Sequence, residues 1–405
     1  MEAYQKIIIN ILKASIWKQK FRYDKNIIID WPLLIMEAKE HNISSLIYYS
    51  LDRRYLENID RQILEQWKKE IFIVNLIQRN NINDILGIID DLKKYGIEII
   101  VLKGIVLREF YPRPEFRTMG DGDILIKKND YDKVRSYLVS KGYECIDEGK
   151  NEVHQGFTSK GKLEVEVHWN LINNKYFNGN IEAFENNLWN NSIELSINES
   201  KTRMLSFNDF LLHMLLHMAV HAKVSGFGLR QLYDLSTFIV NKYNELNWND
   251  IIKKADEYKI LKFTQGLILI CNKLFEIKIP NEIFDNKAVN DRELDLLLES
   301  ILRSGVHGKK EEIDDFKILY RYGTNEYHIE SNLLRIIKFL FPGKSEIMSR
   351  YSYAKKSYFL LPVAWIHRAF IGICIKYGVI NIFRNSKKAV NLGKQRNKLI
   401  KSFEL

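Results

Sequence analysis

The sequence predicts an α+β protein in which a small mixed β-sheet core is embedded in a mainly helical chain. Three observations predict it. Strand-like patterns gather between residues 96 and 198: the apolar run Ile97 to Leu102, the segment Ile124-Leu125-Ile126, and the alternating stretch KLEVEVHW at 162–169. On both sides of that core the apolar residues recur at helical spacing. No internal repeat or low-complexity linker breaks this order. The chain therefore divides into an N-terminal helical region (1–95), the core (96–198), a helical domain (199–300) and a C-terminal helical region with a basic tail (301–405).

Taken in order, Ile8, Ile11 and Leu12 give the first helix its apolar stripe. Asp30 is placed to cap a second, opened by Trp31-Pro32 with proline at the first helical position. His41 reads as a packing or capping residue. A long helix from about Asp60 to Tyr95 leads into the first strand, which Lys103-Gly104 ends. Ile105, Leu107 and Phe110 have helix-like spacing, and the turn Tyr111 to Pro114 then breaks any helix. After Arg117 come Met119-Gly120-Asp121-Gly122-Asp123 and an apolar strand. Two acids two residues apart on a strand share one face. Such a rigid carboxylate pair suits a hard divalent cation.

Residues Asn129 to Lys141 read as a helix ended by Gly142, and Tyr143-Glu144-Cys145 begins an edge strand. His154 opens HQGFTS, which should pair with KLEVEVHW through Ser159-Lys160-Gly161. In KLEVEVHW, Leu163, Val165, Val167 and Trp169 occupy one face, and Glu164, Glu166 and His168 the other. Near Ser206 the chain turns helical, with Ser206 and Asp209 at capping-box spacing. His213, His217 and His221 then share one helical face, a rival zinc site, although HMLLH lacks the glutamate of a zinc-protease motif. Further helices are expected at Trp248 to Tyr258, Phe263 to Phe275, Asp291 to Arg303 and Ser331 to Leu340. A polar loop, Gly305 to Asp315, separates the last two, and Pro342-Gly343 ends the last. Phe359, Trp365, Phe370 and Ile373 form a late apolar stripe before a basic tail, Arg384 to Lys401, suited to an anionic partner such as lipid or nucleic acid.

Composition bounds the function. The chain has 405 residues, is 46% hydrophobic and 28% charged, and carries a net charge of +10, so an anionic partner is expected. Cys145, Cys271 and Cys374 lie far apart, which argues against a disulfide framework or a cysteine metal site and for a reduced, cytoplasmic setting. The N-terminus lacks the features of a signal peptide. The stretch Phe359 to Ile382 is interrupted by His367, Arg368 and Lys376, so no transmembrane segment is expected.

One ordered set is more restrictive than any single motif: Lys103-Gly104, Arg117, Gly120-Asp121-x-Asp123 and Glu166-x-His168-Trp169. It resembles the uncharacterised bacterial nucleotidyltransferase family of the DNA polymerase beta superfold. The segment WPLLIMEAKEHNISSLIYYSL, with Ala38, His41 and Leu46, resembles that family's N-terminal helical region. The chain departs from the superfold in having Lys-Gly where Gly-Gly or Gly-Ser is usual. The resemblance implies a nucleotidyltransferase core, with Asp121, Asp123 and Glu166 as catalytic acids and ligands to two Mg2+ ions, or Mn2+. Glu164 is the alternative third acid. It implies nucleotide contacts at Lys103, Gly104, Arg117 and Gly120, and roles in orienting the acids or meeting the acceptor for His154, His168, His217, His221 and Asp234. Lys223 and Arg230 are candidate phosphate partners. The expected reaction moves a nucleoside monophosphate from an NTP, ATP first, to a hydroxyl of an unidentified acceptor, releasing pyrophosphate. The alternatives are an inactive protein of this fold that docks peptide, RNA or membrane, and a zinc hydrolase built on His213, His217 and His221.

Overall fold

The computed structural model describes residues 1–22, 28–146, 152–173, 176–177, 182–284, 289–305, 360–371 and 394–405. Helices α1 (Ala3–Ile16), α2 (Trp31–Glu40), α3 (Ser44–Ser50) and α4 (Arg53–Leu56) come first. Asp30 caps α2 by accepting from the Leu33 amide at 3.0 Å, and Pro32 occupies the second helical position, not the first, because Trp31 already has helical geometry. His41 accepts from the Leu229 amide at 3.2 Å, so it caps a helix 188 residues away.

Asp60 accepts from the amides of Gln62 and Ile63 and starts α5 (Arg61–Lys94), which is 34 residues long. Its C-terminal half buries Ile82, Ile85, Leu86, Ile88, Ile89 and Leu92. The sheet lies against that face. A β-carbon on Gly122 would stand 3.0 Å from both Ile85 Cδ1 and Leu163 Cδ2, so glycine is what lets helix and sheet approach here.

Among the described residues seven strands form one mixed sheet: β1 (Ile100–Val101), β2 (Asp121–Leu125), β3 (Glu144–Ile146), β4 (His154–Thr158), β5 (Glu164–His168), β6 (Ile193–Ile197) and β7 (Ser200–Met204). Their order is β3-β4-β5-β2-β1-β7-β6. β2 runs parallel to β5 and β1 parallel to β7; the other neighbours are antiparallel. The α+β class is as the sequence predicts. The hairpin β6–β7 was not foreseen, and it completes the sheet by pairing with β1. β6 alternates Ile193, Leu195 and Ile197 with Glu194 and Ser196, whereas β7 is largely polar, and the turn between them is marked by Asn198, in the left-handed region at φ 52°.

Between β1 and β2 lie the short helix α6 (Lys103–Leu107) and two single 3-10 turns, Arg108–Phe110 and Pro114–Phe116. Helix α7 (Tyr131–Ser140) begins later than the expected Asn129 because Lys128–Asp130 forms a 3-10 turn, and Gly142 follows it at φ 82°. The short α8 (Glu182–Glu185) and α9 (Leu188–Asn191) precede the hairpin. The helical region then comprises α10 (Phe207–Val224), α11 (Leu229–Lys242), α12 (Trp248–Glu257), α13 (Leu261–Phe275), α14 (Asn281–Phe284), α15 (Asp291–Ser304), α16 (Leu361–Ile371) and a helix over 394–402. Ser206 caps α10, accepting from the Asp209 amide at 3.2 Å.

One cluster of buried apolar side chains links these parts, from Ile7 on α1 through the sheet to Phe403. Gly266 makes room for the Phe403 ring, which a β-carbon there would meet at 2.5 Å. Cys271 is a buried free thiol. Among the described residues no helix is long and apolar enough to cross a membrane. The expected helix Ser331 to Leu340, the loop beyond Gly305, Pro342-Gly343, Cys374 and residues 384–393 of the tail lie outside the described residues.

Candidate active site

β2 and β5 lie side by side in register, with Asp121 opposite Glu164 and Asp123 opposite Glu166. Because side chains alternate along a strand, Asp121 and Asp123 share a face, and so do Glu164, Glu166 and His168. One carboxylate oxygen from each of Asp121, Asp123 and Glu166 lies within 4.8 Å of the other two. Glu164 is not in that cluster. Asp123 is buried, and its Oδ1 has no hydrogen-bond partner, whereas Asp121 is exposed at the strand's start.

Three carboxylates so close repel one another. The charge on Asp123, with burial and Glu166 adding to it, pushes the Asp121 carboxyl up to about 7. Burial pushes Asp123 the same way, but His168 and the Lys103 ammonium outweigh it and hold that carboxyl below its usual range. Lys103 opens α6 directly after β1. Burial draws its ammonium down, while Asp123, Asp121 and Glu166 pull it back up. An unpartnered buried oxygen within a trio of hard donors fits a divalent cation such as magnesium or manganese.

His168 Nε2 lies 3.4 Å from Glu166 Oε2 and 3.7 Å from Asp123 Oδ1, the second an ion-pair distance longer than a hydrogen bond. Burial lowers the His168 imidazole, but the two carboxylates raise it to about 9. Opposite it on β4 is His154, with ring centres 4.7 Å apart and Nε2 3.8 Å from Glu166 Oε2. Burial and the charge of His168 keep His154 below its usual value.

Helix α10 supplies a wall of imidazoles. His213 and His217 are both held well below the ordinary histidine value, first by burial and next by the Lys103 charge. Along the helix the rings follow one another at 6.3 Å and 4.4 Å, and His221 Nδ1 meets Ser225 Oγ at 3.0 Å. Among the described residues the clusters able to hold a metal are Asp121/Asp123/Glu166 and His154/Glu166/His168. The set His213, His217 and His221 forms no such cluster, so the rival zinc site is not assembled.

A buried polar layer braces the turn that carries the acids. Arg117 places Nε and Nη2 on the two oxygens of Asp234, each at 3.0 Å, and Nη1 on the Gly104 carbonyl at 3.3 Å. Tyr111 donates to Asp234 at 2.7 Å. Gln78 of α5 brackets Met119, accepting from its amide at 2.8 Å and donating to its carbonyl at 3.2 Å, and Asn81 reaches the same carbonyl at 3.4 Å. Arg230 donates to the Thr118 carbonyl at 2.8 Å. Lys223 donates to the Tyr176 carbonyl and lies 4.8 Å over the Phe177 ring. Gly104 faces Arg117 and Met119, where a β-carbon would come within 3.3 Å of each, while Gly120 has open space beside it. Gln78 and Tyr111 were missed from sequence. A polar residue on the apolar stripe of α5 was the available signal for Gln78.

The chain belongs to the uncharacterised nucleotidyltransferase family, whose model matches residues 28–276, more than half of the chain. No curated protein matches it. Among solved structures it is similar to an antigenic nucleotidyltransferase-like protein from Paracoccidioides brasiliensis, at 15% identity and a TM-score of 0.35, covering 51% of this chain and 98% of that one.

Proposed function

We propose that this protein moves a nucleoside monophosphate from a nucleoside triphosphate, ATP first, to a hydroxyl of an acceptor and releases pyrophosphate. The observation that carries this reading is the trio Asp121, Asp123 and Glu166, with mutually close oxygens and one buried oxygen unpartnered, in a chain of this family. In this reading the trio holds divalent metal, magnesium or manganese. Bound there, the metal would supply neutralising charge at the triphosphate and lower the pKa of the acceptor hydroxyl.

The chain's own residues do the rest. The acceptor oxygen bonds to the α-phosphorus as the bond to the bridging oxygen breaks, and pyrophosphate leaves with that electron pair. Glu166 takes the acceptor's proton, and His168, 3.4 Å from its carboxylate, holds it in place. Lys103 offsets the charge growing on the phosphates without reorganising. Gly104 and Gly120 let the backbone come close to the nucleotide. Arg117 takes a smaller part than the resemblance implies, because its fork is already engaged by Asp234. His154, His217 and His221 face the acceptor side. We place the reaction in the cytoplasm, where a free thiol such as Cys271 would persist.

The test is transfer of α-labelled nucleotide to a panel of small hydroxylated molecules, peptides, proteins and RNA, with pyrophosphate measured alongside. Label transfer with equal pyrophosphate, lost in Asp121→Asn, is the expected result. Metal-dependent nucleotide binding without transfer to any acceptor class would favour the inactive docking protein instead.

A further inference from the structure

Glu166 belongs to a second cluster as well as to the carboxylate trio. One ring nitrogen from each of His154 and His168 and one oxygen of Glu166 all lie within 4.8 Å of one another. The strand register explains the grouping: β4 and β5 pair antiparallel with His154 directly opposite His168, so the two imidazoles rise from neighbouring strands beside Glu166. His168 is only 8% exposed; its Nε2 faces Glu166 Oε2 at 3.4 Å, and its Nδ1 has no hydrogen-bond partner. A buried nitrogen left so is costly unless something else engages it. Two imidazoles and one carboxylate make a different donor set from the oxygen trio next to them. Magnesium prefers the oxygens, whereas zinc, cobalt and nickel accept imidazole readily.

We propose that His154, Glu166 and His168 form a distinct seat for a borderline transition metal of the zinc class. It stands beside the all-oxygen site and shares Glu166 with it. Three protein donors leave coordination positions for water or substrate, as zinc sites do when they are not purely structural. The seat goes beyond nucleotidyl transfer and stands or falls by itself.

Cobalt(II) is the direct probe, because imidazole ligation shows in its visible spectrum. Untagged full-length protein is titrated with Co2+ alone, followed by Zn2+ as competitor, in wild type, His154→Ala, His168→Gln and Asp121→Asn. The wild type should bind one equivalent with visible bands that Zn2+ abolishes. His154→Ala should weaken that binding by more than about tenfold, the scale on which even the partners of metal ligands act. Asp121→Asn should keep it. His154 lies half-buried at a strand end, so its variant remains informative if His168→Gln fails to fold. Unchanged Co2+ affinity and spectrum in His154→Ala would overturn the proposal, as would equal loss in Asp121→Asn, which would put the ion among the carboxylates. If wild type binds cobalt at this seat yet binds no nucleotide with magnesium, the seat stands and the transferase reading falls.

Discussion

Arg117 and Asp234, 117 residues apart in sequence, meet in a two-pronged ion pair with both contacts at 3.0 Å. Arg117 sits four residues before Asp121, and Asp234 lies in the middle of α11. The pair therefore ties the turn carrying the acids to the helical region. Both groups are buried, so removing one leaves an uncompensated charge in the interior. Asp234→Asn should lower unfolding stability by about 3–5 kcal/mol, and Arg117→Met combined with Asp234→Leu should recover much of it. Urea denaturation of wild type and the two variants checks this; equal stability of Asp234→Asn and wild type would show that the pair braces nothing.

Asp121 should trade stability for binding. Its carboxyl is pushed from the ordinary 3.8 up to about 7, so without metal the folded state holds that proton more tightly than the unfolded state does. The sign follows. The group costs nothing below the ordinary carboxylate value, costs progressively more as pH rises, and costs its full amount above about 7. Asp121→Asn should stabilise the metal-free protein at neutral pH by on the order of 1 kcal/mol, a figure reduced for solvent screening of this exposed group. The gain should vanish in acid. Manganese affinity of the wild type should weaken as pH falls through about 7, because the proton on Asp121 competes with the cation. Melting curves and manganese titrations across that range measure both.

At Gly122 even a methyl group should crowd its neighbours. A β-carbon there would stand 3.0 Å from Ile85 Cδ1 and 3.1 Å from Ile85 Cγ1. Gly122→Ala should cost about 1–3 kcal/mol through overpacking, and Ile85→Val in the same chain should return part of it. Thermal melts of the single and double variants decide. Additive losses would mean the clash lies elsewhere.

Gln78 should matter to the site without touching it. It is the side chain that pairs with both the amide and the carbonyl of Met119, two residues before Asp121. Gln78→Leu keeps the packing but strands the Met119 amide and leaves its carbonyl to Asn81 alone, at a cost of about 1–3 kcal/mol. Metal affinity should fall together with stability, whereas a merely structural role would lower the melting point and leave manganese binding unchanged in the protein that remains folded.

Much of this was legible in the sequence, for local reasons. Alternation in KLEVEVHW put Glu166 and His168 on one face, and the spacing of Asp121 and Asp123 did the same for their strand. Asp30 and Ser206 marked helix starts because a capping side chain acts within three residues of itself. What the sequence did not show depends on long-range packing. The pairing of β1 with β7 joins residues about a hundred positions apart, and β7 itself, with Met204 its one apolar residue, carries little apolar pattern. The partnership of Arg117 with Asp234 was equally hidden, since a buried ion pair leaves no periodicity.

If Asp121, Asp123 and Glu166 hold a divalent cation against a nucleoside triphosphate, nucleotide binding must depend both on metal and on these acids. Calorimetry with ATP, GTP, CTP and UTP in magnesium, on wild type and on Asp121→Ala/Asp123→Ala, tests it most directly. At least one nucleotide should bind the wild type, only with metal present, and the double variant, folded by circular dichroism, should not bind it. Binding that survives the double substitution, or that ignores metal, would contradict the claim.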